Sequence, residues 1–183
     1  MTRISSRRPT HDETTSTYQR ELIQRVPGDC VLQALDRQLH CIAELGSSIC
    51  ADQTDKIHPP YGWSIRQVVE HCANGERIFG YRILCFAAGD STALPGWDEN
   101  AYADSRFGLG KFIQIVDELT ALRQANMALL RRITPSAWDR SGVADQQTVT
   151  VRALAWLTAG HLQHHLEIVA KRCKVSLRLS DSM

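Results

Sequence analysis

Long apolar runs are missing from this sequence: no stretch of its 183 residues comes near the roughly 20 that a membrane-spanning helix needs. Net charge is nearly missing as well. At +1 there is no global field to draw in nucleic acid or an anionic membrane, so neither is expected as a partner. The segment Met1–Thr17 has no apolar stretch behind its Ser, Thr and Arg residues, which a secretory signal requires. Residues 1–14 are therefore expected to form a frayed tail, with Arg7 and Arg8 solvated, and residues 176–183 a second tail. Six cysteines are present, yet no two stand in a C-x-x-C pair, which argues against a zinc knuckle or a thioredoxin-like redox site. Reduced cysteines in a cytoplasmic protein are the expectation. An apolar fraction of 43% and a charged fraction of 22% fit an ordinary globular chain, long enough for one domain (residues 15–175) and too short for two.

What is there reads as helices. Residues 18–25 form a short lead-in helix, stopped by Pro27-Gly28. With Asp29 as its N-cap, a first long helix carries Val31, Leu35, Leu39, Ile42 and Leu45 as one stripe to about Ser47. Ser64 and Gln67 form a capping-box pattern that opens a second helix, broken at Gly89-Asp90. Residues 90–109 make a long connection with three aromatics, Trp97, Tyr102 and Phe107, and connections of that kind are often functional. A third helix spans about Lys111 to Ile133, with Ile115, Leu119, Leu122, Met127 and Leu130 inward. A short turn through Trp138 and a brief extended piece at Thr148-Val149 precede the last helix, which runs from about Val151 to Arg172 with Thr150 as cap. Four long amphipathic helices with little strand signal predict an all-α four-helix bundle.

Seven histidines are present, and His71, His161, His164 and His165 stand on the second and fourth long helices. His161 and His165 are four residues apart, about 40° round a helix, so their imidazoles stack on one face at a spacing that can share an ion. The stripe Leu154, Thr158, His161, His165, Ile168 advances by alternating fours and threes and marks the seam facing the bundle interior. His71 sits in the corresponding place between Val68 and Ile78. A single inward histidine is more often a satisfied core residue than a ligand. Three inward imidazoles are costly to desolvate unless something satisfies their lone pairs, and a shared metal does so. His164, about 60° from His161 round the same axis, is expected to flank the ligands. The glutamate of an H-E-x-x-H motif is absent, so nothing supports zinc-protease chemistry.

Several segments resemble one known family. Trp63-Ser64-Ile65-Arg66-Gln67-Val68-Val69-Glu70-His71 is similar to the W-S-x-R-E-V-x-x-H signature of the DinB-like superfamily. Glu76 to Arg82 resembles its E-R-x-x-x-Y-R stretch, Leu94 to Tyr102 its L-P-G-x-D-E-x-x-Y segment, and Gly160 to His165 its G-H-x-x-H-H ending. The resemblance covers roughly residues 15–172. It implies a four-helix bundle of up-down-down-up topology, often a homodimer, holding one nickel or zinc ion on His71, His161 and His165 with water completing the shell. It implies no uniform activity. Members include S-transferases and an isomerase that use low-molecular-weight thiols, and others carry only the label of metal-dependent hydrolase or DNA-damage-inducible protein.

Three nitrogen ligands leave coordination positions open, the arrangement of catalytic sites. The leading expectation is a thiol-dependent S-transferase or isomerase, with a small-molecule substrate and a low-molecular-weight thiol as co-substrate. The alternatives are a metal-dependent hydrolase, in which water replaces the thiol, or a non-catalytic stress-related metal-binding module. No general base stands out: Glu70 and Glu76 point about 100° and 140° away from His71. Glu76 is expected to form a structural ion pair with Arg77 or Arg82. Arg82, which continues the stripe from His71 through Ile78, either binds a substrate carboxylate or reaches a loop carbonyl. Trp63, Asn100 and Tyr102 either wall the pocket or plug the end of the core.

Overall fold

The computed structural model describes residues 5–105 and 110–177. Its elements are α1 (Thr17–Gln24), α2 (Val31–Ser48), α3 (Ala51–Thr54), α4 (Ile65–Ala88), α5 (Glu99–Asp104), α6 (Phe112–Arg132), the strands β1 (Ser141–Ala144) and β2 (Gln147–Thr150), and α7 (Val151–Cys173). Phe107 lies outside the described residues, as do 178–183 of the expected C-terminal tail.

The long helices begin and end where side chains satisfy their free backbone groups. Ser64 accepts from the Gln67 N–H while Gln67 reaches back to the Ser64 N–H, closing the capping box of α4. At the other end Gly89, at φ +86°, takes the left-handed cap that a side chain resists. Thr150 accepts from the Ala153 N–H and starts α7. The start of α2 differs from expectation: Cys30 rather than Asp29 holds the cap position, and no side chain bonds there.

Packing sets the topology. Helix α4 packs on α6 and α7, and α2 packs on the same two, so the consecutive helices α2 and α4 sit diagonally. Arg66 of α4 reaches the Gly110 carbonyl just before α6, so those two helices run in parallel. Arg172 near the end of α7 donates to the Trp63 carbonyl before α4, so α4 and α7 are antiparallel. Gly46 late in α2 faces Ile113 early in α6, which makes that pair antiparallel too. The order is up-down-down-up.

Two apolar clusters fill the bundle, one around Leu35, Phe86, Trp138 and Trp156, the other around Ile42, Ile65, Leu119 and Leu166. Between them lies a buried polar layer that touches all four long helices. Arg123, 0% exposed, donates to Glu76 Oε1 at 2.6 Å and to Gln38 Oε1 at 2.7 Å. Gln38 donates onward to the Ala159 carbonyl, and Asn126 donates to Glu76 Oε2. The partner of Glu76 is thus neither Arg77 nor Arg82. Arg77, one residue on, points outward and pairs with exposed Glu118, and Arg82 is turned about 120° away from Glu76 round the axis.

A further departure concerns residues 5–14, which are docked rather than frayed. Arg152 of α7 donates to the Ser5 carbonyl and pairs with Glu13 at 2.9 Å, and the Trp156 indole donates to the Arg7 carbonyl. Arg8 lies over the Trp156 ring and caps the carbonyls of Ile23, Val26 and Gly28. The segment reads as a tail because its anchors are ion pairs and hydrogen bonds, which leave no apolar pattern.

Candidate metal centre

Helix α4 contributes His71 and α7 contributes His161 and His165, and the close approach of the two helices depends on glycine. A Cβ at Gly75, one turn beyond His71, would stand 2.9 Å from His161 Cε1, so only glycine leaves that ring its place. His71 Nε2 and His161 Nε2 are 2.8 Å apart, and one nitrogen from each of the three rings lies within 4.8 Å of the others. Among the described residues no fourth histidine, cysteine or carboxylate joins them.

The environment keeps these rings neutral. Burial, followed by the charge of His164, lowers the His71 pKa to about 4. His161 and His165 are held well below the ordinary histidine value, first by burial and then by neighbouring histidines. Nδ1 of His71 and Nδ1 of His165 are buried without a hydrogen-bond partner, so the cluster holds more polar atoms than the protein satisfies. Neutral imidazoles that bring one nitrogen each to a common point suit a divalent transition ion. Such an ion bonds nitrogen at about 2.0–2.1 Å and sets tetrahedral ligands about 3.3 Å apart, between the spacings found here.

Of the flanking residues, Trp63 packs on His71 at 5.1 Å between ring centroids. Trp97 stacks on His71 at 5.2 Å, nearly parallel at 7°. Tyr102, on α5, meets Trp97 edge-on and lines a small cavity together with His71 and Trp97. Asn100 is exposed and lines neither cavity beside the site. His164 is half-buried with its ring against His165, outside the cluster of three.

A cavity of about 280 Å³ opens from the cluster, lined by His71, His161, His165, Phe79, Arg82 and Trp97 of the bundle side and by residues of α1. Glu99 and Asp145 also line it. Burial, then the charges of Asp145 and Asp98, raise the Glu99 carboxyl above its usual value. Sequence reasoning passed over Trp97, Glu99, Asp145 and Gly75 as site residues. Trp97 and Glu99 stood in a recognised motif but carried no periodicity to aim them. Asp145 is delivered by the β1–β2 hairpin, whose turn is Asp145-Gln146, and by the segment Leu94–Gly96, which runs beside β1.

Comparison with known proteins agrees with this arrangement. The model of the DinB superfamily matches residues 34–169, well over half of the chain and all three histidines. The chain belongs to the DinB superfamily. One relative, from Oceanobacillus iheyensis and named "Putative metal-dependent hydrolase", is 23% identical over 125 residues, covering 67% of this chain and 72% of its own. The structure of YfiT from Bacillus subtilis, described as a probable metal-dependent hydrolase with an unusual four-helix bundle topology, superimposes with a TM-score of 0.67 at 20% identity. The match covers 94% of this chain and 99% of YfiT, and shows that the two share a fold.

Proposed function

We propose that this DinB-superfamily protein is a metal-dependent hydrolase acting on a small molecule, with a divalent ion, zinc or nickel, held by His71, His161 and His165. One observation carries the reading: the three imidazoles form a wall of a cavity of about 280 Å³ rather than a closed shell. A purely structural ion would be sealed by a fourth protein ligand. Bound there, the ion polarises a carbonyl-type substrate and acidifies the nucleophile beside it.

The chain's own groups supply the rest. Neutral rings keep their lone pairs for the ion at pH 7. Glu99, which lines the same cavity and whose carboxyl is raised above its usual value, is the carboxylate we assign to accept the nucleophile's proton and return it to the leaving group. Trp97, stacked on His71, and Trp63, tilted against it, pack around its ring and limit its contact with bulk water. The hydrolase names of the two relatives point the same way.

The thiol-dependent transferase remains as a second reading because the cavity is several times larger than the roughly 30 Å³ that one water occupies. The thiol would come from a co-substrate: no cysteine lines the cavity, and burial pushes the neighbouring Cys72 thiol far up. Metal analysis of wild type and His161→Ala, followed by assay of ester and amide substrates with and without added thiols, tests both. Stoichiometric metal lost in the variant and thiol-independent turnover are expected. Equal metal in the two proteins would remove the site, and turnover only with thiol would replace hydrolysis by transfer.

A further inference from the structure

The cavity does not end at the histidines. Arg82 stands eleven residues beyond His71 on α4, which is three turns and about 20° round the axis, so it occupies the same face about 16 Å away. Helical side chains lean toward the N-terminus, so Arg82 reaches back toward the cluster. Apolar side chains of Phe79, Leu157 and Leu22 line the same cavity.

Arg82 is 6% exposed and lines this cavity, yet it is poorly matched by the protein. Its Nη2 donates to the Pro95 carbonyl at 2.8 Å. Among the described residues its Nε and Nη1 have no hydrogen bond, and no carboxylate forms an ion pair with it. Burial lowers its pKa from the ordinary guanidinium value, opposed only by the more distant charge of Asp145. Those two donors keep access to the cavity, so its occupant, water or an anion, is what meets them. Asp145 and Glu99 do not do so from the exposed mouth, where the Asp145 carboxylate seats against Gly96.

We infer that Arg82 anchors a terminal carboxylate of the substrate, so that the cavity takes a small acid with its reactive group at the histidines, a short apolar spacer along Phe79 and Leu157, and its carboxylate at the far end. The Arg82 donors left free suit a planar carboxylate. A dianionic phosphate would meet the negative charges of Asp145 and Glu99 at greater cost. This assignment deepens the proposed function and rests on it for the end held at the metal.

The test is a binding comparison on the zinc-loaded protein. The monohydroxamate of suberic acid and its methyl ester share one metal-binding head and differ only at the far end. Titration calorimetry is expected to show the free acid binding at least ten-fold more tightly than the ester in wild type. Arg82→Gln should weaken the acid alone and bring the two within about two-fold, while Arg82→Lys, which keeps the charge, retains part of the preference. Equal affinity of acid and ester in wild type would overturn the assignment with no variant needed. So would a preference that survives Arg82→Gln. Failure of the metal reading looks different: neither compound binds and His161→Ala holds as much zinc as wild type, in which case the assignment falls with it.

Discussion

At the scale of single residues, the histidine cluster makes the protein acid-sensitive in a definite window. His71 titrates near 4 when folded and near its ordinary 6.5 when unfolded. Above 6.5 both states are neutral and stability does not depend on this group. Between 6.5 and 4 only the unfolded chain takes up the proton, so stability falls as pH falls, and below 4 the loss levels off. His71 alone is worth about 3 kcal/mol across that window, and His161 and His165 act in the same direction. Urea unfolding of chelator-treated protein at pH 7 and pH 5 should show the drop, with His71→Gln flattening part of it. A stability independent of pH over that range would contradict the burial of neutral rings. These residues were legible in the sequence because helical periodicity aims side chains: steps of three and four placed His161 and His165 on the seam. Trp97, Glu99 and Asp145 were not, because they sit on a loop, a short helix and a turn whose directions come from tertiary contacts.

At the scale of elements, α4 and α7 meet at Gly75, and the site exists because they come that close. Gly75→Ala sets two effects against each other. Alanine favours the helix by up to about 1 kcal/mol, but its methyl group would press on the His161 ring. A Tm unchanged or raised, together with zinc affinity reduced ten-fold or more in a competition assay with a chelating dye, is the expected pair of results. Undiminished affinity would mean that the ring can move aside freely. The long helices were readable from their caps and stripes, within a residue or two at each end. The β1–β2 hairpin was not. Its turn places Asp145 and Gln146 at φ +52° and +61° without a glycine, and its strands are four residues each, too short to show alternation.

For the whole molecule, the layer of Glu76, Arg123, Gln38 and Asn126 joins four helices between the two apolar clusters of the core. Burial pushes the Glu76 carboxyl above its usual value, and Arg123 and Asn126 hold it back. Arg123→Met leaves that carboxylate without its countercharge and Gln38 Oε1 without its donor, and is expected to cost about 3–5 kcal/mol in urea unfolding. Adding Glu76→Leu should recover most of the loss, since the pair gains little net energy from a dry interior. If the double variant is no better than the single one, the layer contributes more than the two charges. Amphipathic stripes predict how many helices pack but not which are diagonal, so the bundle was expected from the residues and its up-down-down-up order only from the family likeness.

The docked segment at residues 5–14 bears on synthesis. Its anchors Arg152 and Trp156 lie about 140 residues later in the chain, as do two of the three histidines. At ribosomal rates of about 5–20 residues per second, those partners emerge on the order of ten seconds after the segment itself. The segment is therefore made well before the partners that hold it, and the ion's site can close only once α7 has left the ribosome.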